Sequence, residues 1–458
     1  MMGLTYALSY FGKYSVNMLN SEKVQEMYDF NDEGYGEIIT AGFWVYAFFI
    51  MVNGFLVDKI GPRKGVLMGS LGCSLSNLGI ALYLQFTPWR QHKFVAGLAV
   101  LVVILNYFQT FSACAIVKCG SYWYNPRERG FFGSVFGVII AFGFFLAFQL
   151  NGMIAEHFDP HVMFYNPGIS LGIMFFINLA FVRSKPTDVY ELDSPLIANL
   201  YDDKFRPSSD LKEDSRTFVE MVRPVLGQGI FYVFFLAEFL LGWFRDGILS
   251  WFSKYFTDHL HIKKDQAIYT LASSGLTIGS MFGSLFAGIV SDLMFKSRRQ
   301  PVAFIGCVMV SILLGCLYFF IDSAIFGPVS LAFTAIFYQG IHGILTATCS
   351  MDFAGSSSVG VAVGLLDASQ KVGSSLTGSL MAALISEDDG PKKKHIVWAR
   401  WPLVMIPASV ACAILFLFIM NRKATQGKIE SKDKSSKTSL LAGMEEEEVG
   451  LNNSEQKI

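Results

Sequence analysis

The chain has 458 residues, of which 52% are hydrophobic, 15% aromatic and only 16% charged, with a mean hydropathy of +0.43. A soluble domain carries about 25% charged residues, so a soluble globular protein is excluded. The formal net charge of −1 excludes a global field that would draw nucleic acid.

What remains is an all-α membrane protein. Apolar runs of roughly 20 residues, each long enough to cross a ~30 Å hydrocarbon layer as a helix, recur along the whole sequence. Twelve are predicted: 2–20, 38–57, 65–86, 94–122, 131–151, 165–183, 227–251, 267–293, 301–321, 325–349, 358–385 and 396–421.

Span 1 contains TYALSYFGKYS, and its Lys13 lies twelve residues into the chain. At 1.5 Å per residue that is about 18 Å along a helix, too deep for comfortable snorkelling. The run starts almost at Met1 without a basic leader, so no cleavable signal is expected. Span 2 leads into GFLVDKIGPRK, which holds Gly54, Asp58, Gly61, Arg63 and Lys64. Span 4 ends in KCGSYWYNPRERG, where Lys118 is placed either as a ligand or as a snorkelling anchor, followed by Glu128 and Arg129. The Phe-rich FGVIIAFGFFLAF of span 5 reads as mostly lipid-facing surface rather than a cofactor box.

Residues 184–226 are the one long polar interruption before the tail. They divide the chain into a six-helix bundle (1–183), a linker, a second six-helix bundle (227–421) and a tail (422–458). Span 7 carries EFLLGWFRDGILSWF, with Glu238, Arg245 and Asp246. Neighbours on a helix project about 100° apart, so an Arg245–Asp246 pair is expected to be poor. Span 8 has Gly275, Gly279 and Gly283 at four-residue spacing and ends in GIVSDLMFKSRR, with Gly288, Asp292, Arg298 and Arg299. Such small-residue rows let helices approach closely. His342 lies deep in span 10, either as a packing hydrogen-bonder or as a ligand, and Asp352 at its end either caps a helix or carries a proton. In span 11 Asp367 precedes Lys371 by four, a spacing that suits an intrahelical ion pair. The tail is basic, then acidic and poor in aromatics, which predicts disorder.

The cationic residues set the orientation. With the N-terminus inside, inner loops and tail hold 22 Lys and Arg against 10 outside, and both termini are expected to be cytoplasmic. The other four, Lys13, Lys118, Arg245 and Lys371, lie within spans. An ionisable residue at bilayer depth costs several kcal/mol and marks a functional cavity by default. The halves echo each other: G-x-x-x-D recurs 234 positions on, and Lys13 and Arg245 are 232 apart. A duplicated six-helix unit puts such pairs on opposite sides of a central axis. Two cations facing one cavity suit an anion, and phosphate fits the arginine fork and the lysine point charge. The seven cysteines show no metal or disulfide spacing, and no nucleotide-binding loop or nucleophile–base pair is apparent, so neither a cofactor nor an enzyme is expected.

The layout and the G-x-x-x-D-x-x-G-x-[RK]-[RK] signature resemble the major facilitator superfamily. Within it, the tyrosines before Lys13, KCGSYWYNPRERG, RSKPTDV, FRDGILSWF and TATCSMDFAGSSSVGVAVGLLDASQKVGSSLTG resemble the organophosphate:phosphate antiporter family. That resemblance implies exchange of an organic phosphate for inorganic phosphate by alternating access. It implies a site formed by Lys13 and Arg245, with hydrogen bonds from Tyr6 and Tyr10 and help from Lys118 and His342. Gly54, Asp58, Gly61, Arg63, Glu128, Arg129, Asp292, Asp367 and Lys371 would hold and gate the structure. The chain departs from the family where Lys13 replaces the usual arginine, Ile140 stands near the place of a span-5 histidine, and Ser356–Ser358 replace a basic pair. The expected partners are a small anionic solute and the lipid bilayer, with the protein a monomer in a plasma or internal membrane. The alternatives are a proton-coupled carrier of a carboxylate or amino acid, using Glu238, Asp367 and His342, and a non-transporting sensor.

Overall fold

The computed structural model describes residues 1–20, 22–87, 94–124, 129–190, 217–262, 266–295, 298–351, 358–386 and 391–420. Glu128, Asp352 and the tail lie outside these, as do the side chains of Arg129 and Asp292. All twelve predicted runs fold as helices, here numbered α1 to α12. They are Met2–Ser15, Asp32–Ile60, Pro62–Phe86, Phe94–Trp123, Arg129–Phe145, Val162–Phe181, Gly229–Lys254, Ala267–Leu293, Gln300–Phe319, Phe326–His342, Val359–Ser386 and Pro391–Ile419. No strand occurs among the described residues. Met1–Arg422 pack as one compact unit.

Local chemistry sets the helix ends. The Asn31 side chain accepts the Gly34 N–H at 3.0 Å and caps α2, whose first turn carries Asp32 and Glu33, as an N-terminal dipole favours. The same helix stops at Gly61, whose φ of +86° suits a residue without Cβ, and Pro62 starts α3. Single π turns, Leu146–Leu150, Tyr255–His259 and Gly343–Cys349, widen the ends of α5, α7 and α10. A short amphipathic helix, Phe218–Leu226, precedes α7; it carries a Thr217–Glu220 capping box and buries Met221 and Val222 against Val361.

Nine described helices are long and apolar enough to cross a membrane, ten if Phe218–Leu226 and Gly229–His259 count as one span bent by 92°. The expected twelve therefore include three helices that do not pass on their own. α1 has only 14 residues, α7 carries Glu238, Arg245 and Asp246, and α11 carries Asp367, Gln370 and Lys371. The arrangement is a bundle turned inside out: Trp44, Phe48, Phe282 and Phe286 face outward, while amides and hydroxyls pair inside. Asn53 donates to Thr110 at 2.7 Å, Asn178 to Thr5 at 2.7 Å and Asn151 to Ser15 at 2.6 Å, each bond joining two helices.

Helix packing repeats with an offset of six. The pairs α1·α5, α1·α6, α2·α4, α3·α4 and α3·α6 recur as α7·α11, α7·α12, α8·α10, α9·α10 and α9·α12. Two further pairs, α2·α11 and α5·α8, join the repeats and exchange under the same operation. Backbones touch at glycine. A Cβ on Gly54 would lie 2.2 Å from the Gly360 carbonyl oxygen, and one on Gly283 would lie 1.9 Å from that of Ile336.

Candidate functional site

Helices α1, α7 and α11 turn charged side chains to a shared interior, to which α2 adds the rings of Phe43 and Tyr46. Arg245 is fully buried; its Nη1 donates to Asp246 Oδ1 at 2.8 Å and its Nε to Gln339 of α10 at 3.4 Å. Asp246 Oδ2 receives Lys371 Nζ at 2.5 Å and the Ser374 hydroxyl at 2.6 Å, both from α11. The Tyr14 hydroxyl, from α1, donates to Asp246 Oδ1 at 3.4 Å. A buried ion pair offsets its desolvation only when its remaining lone pairs find donors, and each oxygen of Asp246 has two.

Lys13 differs. Its ammonium sits 4.2 Å from the Tyr46 ring centroid and about 6 Å from those of Phe43 and Tyr14, and it has no carboxylate or hydrogen-bond acceptor among the described residues. The Lys371 ammonium lies 5.8 Å from that same Tyr46 centroid, so cations from α1 and α11 flank one ring. The Tyr46 hydroxyl donates to Asp367 Oδ2 at 2.9 Å. Arg245 Nη2, Gln339 Nε2 and His342 Nε2 are buried without partners. Buried donors are costly to leave unmade.

Several expectations need correction. Arg245 does pair with Asp246, because a long arginine arm folds back over one residue and no water competes for the carboxylate. Asp367 and Lys371 do not pair with each other: Lys371 takes Asp246, whose oxygens Ser374 also serves, and Asp367 takes Tyr46. An i,i+4 pair contributes only about 0.3–0.5 kcal/mol, too little to hold Lys371 against a better-hydrogen-bonded acid. Lys118 does not snorkel: it is buried in an ion pair with Asp58 at 2.6 Å. Phe144 of the Phe-rich span is not lipid-facing: it is fully buried, and its ring centroid lies 5.6 Å from Arg245 Cζ.

Tyr6 and Tyr10 are buried edge to face with centroids 5.0 Å apart, and Tyr10 meets Phe144 at 5.6 Å. His342 belongs to a group one layer away. Its Nδ1 lies 3.0 Å from Gln370 Nε2 and 3.1 Å from Thr346 Oγ1, while those two atoms donate to the Glu238 carboxylate at 2.9 and 2.8 Å. Ile140 is fully buried.

Polar contacts also join the helices at both ends of the bundle. At one end Asp58 accepts the Gly360 N–H at 3.0 Å and the Val361 N–H at 2.9 Å, so one carboxylate binds Lys118 of α4 and the start of α11. Arg63 lies apart and donates to the Leu179 carbonyl at 2.8 Å. At the opposite end Lys254 of α7 pairs with Asp32 of α2 at 2.6 Å and with Asp258 at 2.9 Å. There Asn17 also donates to the Leu249 carbonyl at 3.2 Å, and Tyr35 to Asn17 at 3.3 Å.

Residues 2–378, and again 234–446, match the family model described as Major Facilitator Superfamily. The chain belongs to that superfamily. It is a multi-pass membrane transporter, not an enzyme. Its fold is similar to that of the proton:xylose symporter XylE, with a TM-score of 0.71 at 13% identity over 93% of this chain and 96% of that one. Among curated relatives it is similar to a phosphoglycerate transporter protein of Salmonella typhimurium, 23% identical over 437 residues covering 92% of this chain and 89% of the relative. It is also similar to a probable hexose phosphate transport protein of Chlamydia trachomatis, 25% identical over 330 residues covering 68% of each. The sequence resemblance to the organophosphate:phosphate antiporters accords with these relatives. Within this superfamily member, sequence reasoning missed Tyr14, Tyr46, Gln339 and Gln370 and assigned Asp246 no role. Tyr46 neighbours no charge in sequence, whereas Tyr14 directly follows Lys13; a signal for Gln339 and Gln370 was their polarity within apolar spans.

Proposed function

We propose that the protein carries phosphate esters across a membrane by alternating access, in exchange for inorganic phosphate. The phosphoryl group is held between Arg245 and Lys13. The single observation carrying this reading is that Arg245 Nη2 is buried without a partner while Lys13, reaching the same interior from α1, has only ring faces around it. An oxyanion satisfies both, the guanidinium through its fork and the ammonium as a point charge. Tyr6 and Tyr10 line the approach from α1, and His342 Nε2 and Gln339 Nε2 offer further donors. The names of the relatives support a phosphate ester. The halves 1–183 and 227–421 rock against each other, opening in turn at the Asp58 end and the Lys254 end. Both termini face the cytoplasm, which puts the Asp58 end there, and the carrier works as a monomer.

Proteoliposomes loaded with inorganic phosphate test the reading. Uptake of labelled phosphate, glycerol phosphate or hexose phosphate is expected, and Arg245→Ala is expected to abolish it. Failure of all three to exchange, or normal exchange by the variant, refutes the assignment. Binding in a thermal-shift assay without flux identifies a sensor instead.

A further inference from the structure

We propose that Asp246 is a tethered counter-anion that takes the place of a substrate oxyanion, so that the carrier returns without cargo and performs net transport as well as exchange. This inference rests on the proposed phosphate-ester reading and deepens it. Asp246 receives the donor set that a phosphoryl group would receive: a guanidinium N–H, an ammonium and two hydroxyls. Those donors come from three helices. Arg245 is on α7, Lys371 and Ser374 are on α11, and Tyr14 is on α1, so one carboxylate ties the first repeat to the second.

Charge balance makes the consequence concrete. Lys13, Arg245 and Lys371 face Asp246 and Asp367, three cations against two carboxylates. Glu238 lies a layer away, held by Thr346 and Gln370. Without Asp246 the balance would be three against one. Cations on facing helices of the two repeats then repel as the interior closes, and only a bound anion relieves them. A site of that kind enforces exchange, because the carrier cannot return unloaded. With Asp246 in place the protein supplies the anion itself, and closure around an unloaded site is permitted. A substrate phosphoryl engages the groups Asp246 leaves open, Arg245 Nη2 and Lys13, and competes with the carboxylate for Lys371.

The test compares two fluxes from the same proteoliposomes, loaded with labelled glycerol phosphate. Exchange is measured into buffer containing phosphate, and net efflux into buffer containing no substrate anion. The expected result is net efflux within about ten-fold of exchange. Asp246→Asn is expected to lower the ratio of efflux to exchange at least ten-fold, and Asp246→Glu, which keeps the charge, to hold it. The double variant Asp246→Asn/Lys371→Gln restores the charge balance and is expected to recover the ratio, and it stands in should the single variant fail to fold. Vigorous exchange by the wild type with net efflux below about 1% of it overturns the proposal, as does an unchanged ratio in Asp246→Asn. Absence of exchange altogether instead refutes the phosphate-ester reading, so the two failures are separable.

Discussion

Replacing Asp58 by Asn keeps the shape of the side chain and removes the charge that joins α2 and α4 to α11. Three donors depend on that charge: Lys118 Nζ at 2.6 Å, the Gly360 N–H at 3.0 Å and the Val361 N–H at 2.9 Å. An asparagine accepts through one atom only, and its amide nitrogen faces donors. A hydrogen bond to a charged group contributes about 1.5–3 kcal/mol net, and stranding a buried cation costs about 3–5 kcal/mol. Lys118 recovers hydration when this end opens, so the lower part of the range applies, about 3 kcal/mol against closure. At 1.4 kcal/mol per tenfold this moves the equilibrium about 150-fold toward the form open at the Asp58 end. Native Cys114 reports it. The residue is fully buried beside this junction, with its thiol 3.8 Å from the Ile50 carbonyl oxygen. Maleimide labelling followed by peptide mass mapping separates it from the half-buried Cys119 and Cys316. The rate at Cys114 is expected to rise by at least ten-fold in Asp58→Asn. An unchanged rate, in a variant that unfolds at the wild-type temperature, refutes the idea that this carboxylate holds the end closed.

Gly54→Val forces a side chain into the 2.2 Å gap before the Gly360 carbonyl, so α2 and α11 cannot meet. Transport is expected to vanish while substrate-induced thermal stabilisation persists. Lys254→Gln removes the pairs with Asp32 and Asp258, which are partly hydrated. A loss of about 1 kcal/mol should speed opening at that end about five-fold, seen as faster labelling of a cysteine placed at Ser250. Tyr46→Phe keeps the ring under Lys13 but leaves Asp367 without its 2.9 Å donor. The expected change is about ten-fold in apparent substrate affinity, from a loss of about 1–2 kcal/mol, measured by initial uptake rates.

Fold and site were legible to different degrees. Apolar run length alone placed all twelve helices, because a membrane span must satisfy its backbone internally and carry an apolar exterior. The 232-residue offset between Lys13 and Arg245 pointed to one interior; in the structure Lys13 and Lys371 lie at the same Tyr46 ring, and Lys371 and Arg245 share Asp246. Partner choice was not legible. Asp367 and Lys371 stand at ideal helical spacing, yet each takes a partner from another helix. Arg245 and Asp246 stand at a spacing that helical projection disfavours, yet they pair. Spacing rules describe solvated helices, where water is always an alternative partner. In a buried interior water is not that alternative, so the choice is made jointly by α1, α2, α7, α10 and α11. Lys118 shows the same thing: its depth suggested snorkelling, but a carboxylate 60 positions earlier in the chain claims it.

The helices that carry the site's charges are also the ones least suited to life alone in lipid: α1 is short, α7 is sharply bent from the helix before it and α11 is studded with hydroxyls. During biogenesis such segments partition poorly one at a time at the translocon. They need their polar faces sheltered by apolar neighbours that insert readily, α5 and α6 for the early segment and α2 and α12 for the late ones. Assembly of this carrier is therefore a cooperative event in which the chemistry-bearing helices are seated last, and a lesion in a purely greasy neighbour can surface as a misinserted substrate chamber.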